Sequence, residues 1–258
     1  MLFCPTVILN SAYWCQCDVI YSTFILIGLC FLMKEKDHIC MIFIGIAFSF
    51  KFQTVFIFPF LVIMWLKGKV KFYSFFWIPF VYVVLSIPAW MQGRGWGELL
   101  SIYLKQSVSY PYGTLNYPNA YVLFNEVLQA KHHADELSKA GIYFTLGLLG
   151  GVAYWMYLKK FNITKERMIE IAVFTVALVV YFLPHMHERY GFLLDLLAIL
   201  YGMKNIRRIS VAFLLILISL LAYMPYLIGV HIIPMSYLSL AFLGVIVFIG
   251  YNLYLIGY

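Results

Sequence analysis

The run Pro184-His185-Met186-His187-Glu188-Arg189-Tyr190 sets five polar side chains into an otherwise apolar stretch. Such groups are costly inside membrane sequence and mark a functional site by default. Two histidines two positions apart and a following glutamate have the makings of a metal set, but Arg189 beside them repels a cation and attracts an anion. The run therefore reads as a phosphate or pyrophosphate clamp. His187 and Arg189, with His185 alongside, donate to anionic oxygens, Glu188 orients one of the donors, and Tyr190 flanks the substrate. The plain structural alternative is an ion pair at a helix end between Glu188 and Arg189 or a neighbour.

Two further segments carry polar chemistry. Phe50-Lys51-Phe52-Gln53 places a lysine and a glutamine between apolar runs. Lys51 is either a snorkelling side chain or a second cation for an anionic lipid headgroup, with Gln53 as a substrate contact. The segment Asn10-Ser11-Ala12-Tyr13-Trp14-Cys15-Gln16-Cys17-Asp18, followed by Tyr21, offers a stacking face in Trp14 and sugar-hydroxyl partners in Gln16 and Asp18. Asp18 is either a carboxylate base or the cap of the helix it enters, and Trp14 either a contact or an interfacial anchor.

What must position these residues is set by composition. The 258 residues are 64% apolar, 19% aromatic and 11% charged, against about half apolar and a quarter charged in a soluble domain. A soluble globular enzyme is excluded, and long apolar runs without alternating strands exclude an outer-membrane barrel. The expected fold is an all-α polytopic membrane protein, one membrane domain over residues 1–258. Nine crossings are expected: Val19 to Met33, Ile39 to Phe50, Gln53 to Leu66, Phe72 to Met91, Gly141 to Leu158, Met168 to Leu183, Phe192 to Met203, Ile209 to Gly229 and Met235 to Tyr258. Several are short for a bilayer, which points to a cavity at the outer face.

The net charge of +7 maps topology rather than nucleic-acid contact. Lys34 and Lys36; Lys67, Lys69 and Lys71; Lys159, Lys160, Lys165 and Arg167; and Lys204, Arg207 and Arg208 fall in every second connection, so twelve of the eighteen basic residues share the cytoplasmic side. Lys51 then sits at an outer turn, and all three polar segments face outside. The outer stretch Gln92 to Ala140 is the one soluble-looking region. Leu99, Ile102 and Tyr103, then Tyr121, Phe124 and Leu128, have the spacing of two amphipathic helices lying in the membrane surface. Between them Tyr110, Pro111, Tyr112, Tyr117 and Pro118 form an aromatic loop suited equally to capping a cavity or to sugar stacking. The five cysteines, Cys4, Cys15, Cys17, Cys30 and Cys40, have no zinc-type spacing and read as ordinary thiols, so no metal site is assigned. The assignment puts the first residues outside with no helix to carry them there, so an N-terminal portion is expected to be missing, as a fragment or a split protein.

Together the three segments resemble the bacterial integral-membrane mannosyltransferases related to the second mannosyltransferase of GPI-anchor synthesis. Asn10 to Tyr21 is similar to that family's "NS..WGQ.D..Y" segment, with Cys15 where the family has Gly. "IAFSFKFQTVFIFP" (Ile46 to Pro59) is similar to its lysine-glutamine helix, and "PHMHERY" (Pro184 to Tyr190) to its HERY motif. The same elements resemble the KQ and VHEK segments of the glucosyltransferases of asparagine-linked glycosylation. The resemblance covers most of Asn10 to Tyr201 and implies a GT-C glycosyltransferase, which takes a sugar from a polyprenyl-phosphate donor on the outer face of the membrane. It implies a multi-pass protein, with a bacterial plasma membrane favoured, and transfer of a hexose, with mannose favoured, to a lipid-linked or cell-envelope glycan acceptor. Lys51, His187, Arg189 and His185 would hold the donor phosphate, Trp14, Gln16, Gln53 and Tyr190 would contact substrate, and Asp18 and Glu188 would be the catalytic carboxylates. The class normally places its catalytic carboxylate in a first outer loop upstream of these motifs. No cofactor is implied beyond the donor, and the need for a divalent ion is open. The rivals are a transporter or flippase of an anionic lipid-linked substrate and an inactive truncated product.

Overall fold

The computed structural model describes residues 3–107, 114–128, 134–160, 162–203 and 206–255, and helices make up nearly all of its regular structure. Contacts divide the chain into two compact units, Met1–Asp18 with Tyr112–Tyr258, and Val19–Pro111.

The first unit opens with α1 (Pro5–Ile8), whose proline sits in the first turn where a missing N–H costs nothing. It runs on as a π-helical turn, Leu9–Tyr13. That turn ends in a left-handed residue, Cys15 at φ 54, and the Gln16 N–H closes it onto the Asn10 carbonyl at 2.9 Å. Asp18 begins α2 (Asp18–Leu32).

The second unit holds the rest of α2, then α3 (Asp37–Phe50), a 3-10 turn (Phe52–Ile57) leading into α4 (Phe58–Leu66), a 3-10 turn (Phe72–Phe76) leading into α5 (Trp77–Met91), and α6 (Trp96–Ser107). α3 and α5 pack closely because Gly45 lets them: an added Cβ there would lie 2.9 Å from Val81 Cβ and 3.2 Å from Ile78 Cα. α6 turns its Leu99 side inward, with Tyr82 donating to the Leu99 carbonyl at 2.8 Å and Tyr103 to the Phe48 carbonyl at 2.6 Å. At the other end, Asp37 Oδ2 accepts from the Lys71 N–H (3.1 Å) and from Ser74 Oγ (2.7 Å), joining the start of α3 to the turn before α5.

The remainder of the first unit comprises β1 (Thr114–Leu115), α7 (Ala120–Leu128), α8 (Ala134–Leu158), α9 (Lys165–Phe182), β2 (Met186–His187), a 3-10 turn (Glu188–Gly191), α10 (Phe192–Gly202), α11 (Ile206–Ile228) and α12 (Met235–Leu255). α9 starts on Thr164, whose Oγ1 accepts from the Arg167 N–H at 3.3 Å, and is buried from Met168 to Tyr181. A helix buried on every side belongs at the centre of its unit, and α8, α10 and α12 pack around it. β1 and β2 pair in parallel, Thr114 with Met186 and Leu115 with His187.

Among the described residues, four helices are long and apolar enough to cross a membrane: Phe72–Met91, Glu136–Leu158, Arg208–Ile228 and Met235–Leu255. The other five expected crossings form shorter or more polar helices. The shortest, α10, has 11 residues, about 16 Å at 1.5 Å per residue against a hydrocarbon core of about 30 Å. Both expected amphipathic helices form, as α6 and α7. The aromatic loop needs correction: Tyr117 and Pro118 are buried, with the Tyr117 ring edge-on to Phe242 at 6.2 Å, so this tyrosine fills the core and has no face for a sugar. Tyr110, Pro111 and Tyr112 lie outside the described residues.

Candidate functional site

The polar run Pro184–Tyr190 leaves α9 through His185, a left-handed residue at φ 62. Histidine tolerates this conformation better than bulkier or branched residues. The reversal lets Met186 and His187 run extended beside β1, and the 3-10 turn that follows points Glu188 and Arg189 in different directions. Glu188 is buried; Arg189 is half-buried.

Arg189 is where two of the three sequence motifs meet. Its Nη1 donates to Gln16 Oε1, 173 positions away in sequence, and its guanidinium lies over the Trp14 ring at 5.9 Å. Trp14 is in turn stacked on Tyr226 (4.5 Å between centroids, 25° between planes) and edge-on to Tyr223 (5.6 Å, 78°), both on α11. The order is a cation, an indole and a phenol, held from the π-helical turn, the post-β2 turn and α11. A guanidinium over an indole face gains about 0.5–2 kcal/mol. Arg189 Nε is buried and, among the described residues, has no acceptor.

The Gln16 side chain reaches Arg189 because Cys15 is left-handed. Continuing the helical turn would carry Gln16 round to another face; φ 54 at Cys15 breaks it. Asp18 is buried and accepts from Asn10 Nδ2 at 3.0 Å. It is also the first residue of α2, where its carboxylate lies in the helix's first turn.

The ion pair weighed for Glu188 is not formed: among the described residues no salt bridge joins it to Arg189, whose guanidinium faces Gln16 instead. Burial pushes the Glu188 carboxyl above its usual range, against the opposing pull of a backbone N–H and of the Arg189 charge. The His187 ring lies against Tyr190 at 4.9 Å, and His185 is half-buried. Among the described residues no three His, Cys, Asp or Glu side chains gather as a metal set.

Lys51 and Gln53 belong to the second unit. Lys51 is the break between α3 and the following 3-10 turn, extended at φ −155 and ψ 133, and its Nζ lies over the buried Tyr21 ring at 5.7 Å. Gln53 is half-buried in that turn.

Three polar groups in the first unit escaped the sequence reading. Asp195 on α10 is fully buried and accepts from Ser219 Oγ at 2.7 Å. Glu170 on α9 is buried against Arg208 at 3.3 Å, with the Arg208 guanidinium over Tyr201 at 4.8 Å. Asn119 starts α7, accepting from the Tyr121 N–H at 3.1 Å, while its carbonyl accepts from Ser239. A lone carboxylate within FLLDLLAIL or RMIEIAVF is a visible signal for the first two; the Asn119 arrangement has none. Neither a known family model nor any curated protein matches the chain.

Proposed function

We propose that this protein is a glycosyltransferase of GT-C type that moves a hexose, mannose by preference, from a polyprenyl-phosphate donor to a glycan acceptor at the outer face of a bacterial plasma membrane, within a nine-crossing fold. The observation that carries the reading is the meeting of Arg189 with Gln16 and Trp14, two motifs from opposite ends of the chain. Among the described residues Arg189 keeps one buried N–H without an acceptor there, and an anionic phosphate oxygen is the acceptor such a donor favours.

In this reading the bond between sugar C1 and the phosphate oxygen breaks, and the departing polyprenyl phosphate keeps the electron pair. Arg189 and His187 stabilise that growing charge near a low-dielectric boundary, where a fixed cation is worth most. The acceptor hydroxyl forms the new bond to C1 and gives up its proton to a carboxylate, for which Asp18 is the candidate in this chain. Trp14 and Gln16 orient donor and sugar. Glu188, buried beside Arg189, positions the turn.

The test is a titration of the purified chain with undecaprenyl phosphate, beside a transfer assay with radiolabelled lipid-linked mannose. Arg189→Ala should weaken phosphate binding about 5- to 150-fold, corresponding to about 1–3 kcal/mol for a charge-assisted hydrogen bond lost in a sheltered site. Asp18→Asn should bind as the parent does and fail to transfer. A parent protein that ignores the phosphate, or that moves the intact lipid-linked sugar across a vesicle without cleaving it, would replace this reading with that of a transporter.

A further inference from the structure

The clamp around Arg189 is assembled from three segments, and a buried carboxyl six residues after Arg189 is hydrogen-bonded to one of them, α11. Asp195 sits in the first turn of α10, six residues after Arg189, with no exposed surface. Its Oδ1 accepts from Ser219 Oγ of α11 at 2.7 Å, while its Oδ2 is buried with no hydrogen-bond partner among the described residues. α1 packs against both α10 and α11.

Register turns these contacts into positioning. Ser219, Tyr223 and Tyr226 stand at i, i+4 and i+7, so they share one face of α11. The residue that Asp195 grips is therefore on the same stripe as the two tyrosines that hold Trp14. Gly191, between Arg189 and Asp195, has no side chain because the Tyr117 hydroxyl and Ser219 Oγ fill the space a Cβ would take, at 2.8 and 3.2 Å. A carboxyl this deep is tolerated only with a hydrogen-bonded partner, and Ser219 comes from the helix whose tyrosines hold Trp14.

We infer that Asp195 is the positioning residue of the clamp: by tying Ser219 of α11 to the start of α10, it sets the α11 face whose Tyr223 and Tyr226 hold Trp14, and so fixes Trp14 and Gln16 against Arg189. The inference rests on the reading of Arg189 as an anion-holding group. Asp195 is proposed to act through the two helices it joins, not on substrate.

The experiment uses the full chain in nanodiscs, with Asp195→Asn, which keeps an acceptor oxygen for Ser219, and Asp195→Leu, which keeps the volume and removes it. Three quantities are read: undecaprenyl phosphate binding, thermal unfolding, and acrylamide quenching of Trp14, obtained as the difference from the matching Trp14→Phe protein. Asp195→Leu should weaken binding about tenfold and at least double Trp14 quenching at unchanged helix content, while Asp195→Asn stays within about twofold of the parent in both. If Asp195→Leu does not fold, Ser219→Ala carries the test, with about threefold weaker binding and increased quenching. Parent-like binding and quenching in Asp195→Leu or Ser219→Ala would overturn the inference. So would losses in Asp195→Asn as large as those in Asp195→Leu, since they would not track the hydrogen bond. A parent that binds no polyprenyl phosphate refutes the transferase reading alone, because Trp14 quenching still reports whether Asp195 sets the clamp.

Discussion

Gly191→Ala isolates a steric demand at the end of the Pro184–Tyr190 run. Gly191 has φ −73 and ψ −6, a conformation open to any residue. On the backbone alone, alanine should stabilise the fold by about 0.5–1 kcal/mol, by restricting the unfolded chain. The surroundings oppose this. The new methyl would sit 2.8 Å from the Tyr117 hydroxyl, 3.0 Å from Tyr117 Cε2 and 3.2 Å from Ser219 Oγ. Tyr117 is buried against Phe242, and Ser219 is engaged with Asp195, so neither gives way freely. Overpacking of this kind costs about 1–3 kcal/mol, which outweighs the backbone gain and leaves a net loss of about 1–2 kcal/mol. Denaturant or thermal unfolding of the purified protein in detergent measures it. Tyr117→Phe removes the nearest atom but leaves Cε2, so Gly191→Ala combined with Tyr117→Phe should recover part of the loss, with a coupling of about 0.5–1 kcal/mol. A Gly191→Ala protein as stable as the parent, or strict additivity of the two substitutions, would refute the packing argument.

Acid stability should depend on Asp37. Burial alone would raise its carboxyl, but the hydrogen bonds from Ser74 and the Lys71 N–H and the nearby His38 outweigh burial and hold it below the usual carboxylate range. A depressed folded value means the stabilisation is present above the unfolded value and is lost as pH falls through the folded one. Ser74→Ala should therefore cost about 1 kcal/mol at neutral pH and flatten the acid limb of a stability–pH curve; an unchanged limb argues against the latch. Glu188 has the opposite sign. Its raised value makes stability greatest below the ordinary carboxylate range and lets it fall as pH climbs through the folded value, so Glu188→Gln should remove that decline, and a persisting decline would assign it elsewhere. Cys15 and Cys17 are exposed beside Trp14 and Gln16. On intact cells an impermeant maleimide should label the parent more than a Cys15→Ser/Cys17→Ser protein, and equal labelling would contradict an outward-facing site.

Helices were legible in the sequence because their determinants are local. The apolar runs and the amphipathic spacing within Trp96–Ser107 and Ala120–Leu128 each lie within a few residues of what they specify. Length and composition carry four of the nine expected crossings, and the other five, α10 with 11 residues among them, are shorter or more polar than a free-standing span requires. The two-strand pairing of Thr114–Leu115 with Met186–His187 was invisible, because two residues give no alternation to read and their partner is some seventy positions away.

The site divides along the same line. Residue types that are expensive in an apolar setting announced themselves: Arg189, His187, Glu188 and Asp18 were each picked out by being polar where sequence around them is not. What they do to one another depends on backbone reversals that composition does not encode. Cys15 occupies a position where the resembled pattern has glycine, and its left-handed φ of 54 is the conformation that glycine adopts most cheaply. The reversal, rather than the small side chain, is what delivers Gln16 to Arg189. Asp195 was the costliest omission. It lies within an expected apolar span, although a carboxylate there obeys the same rule that singles out Arg189, and its partner, Ser219 Oγ, is an uncharged hydroxyl that no charge-based reading pairs with it.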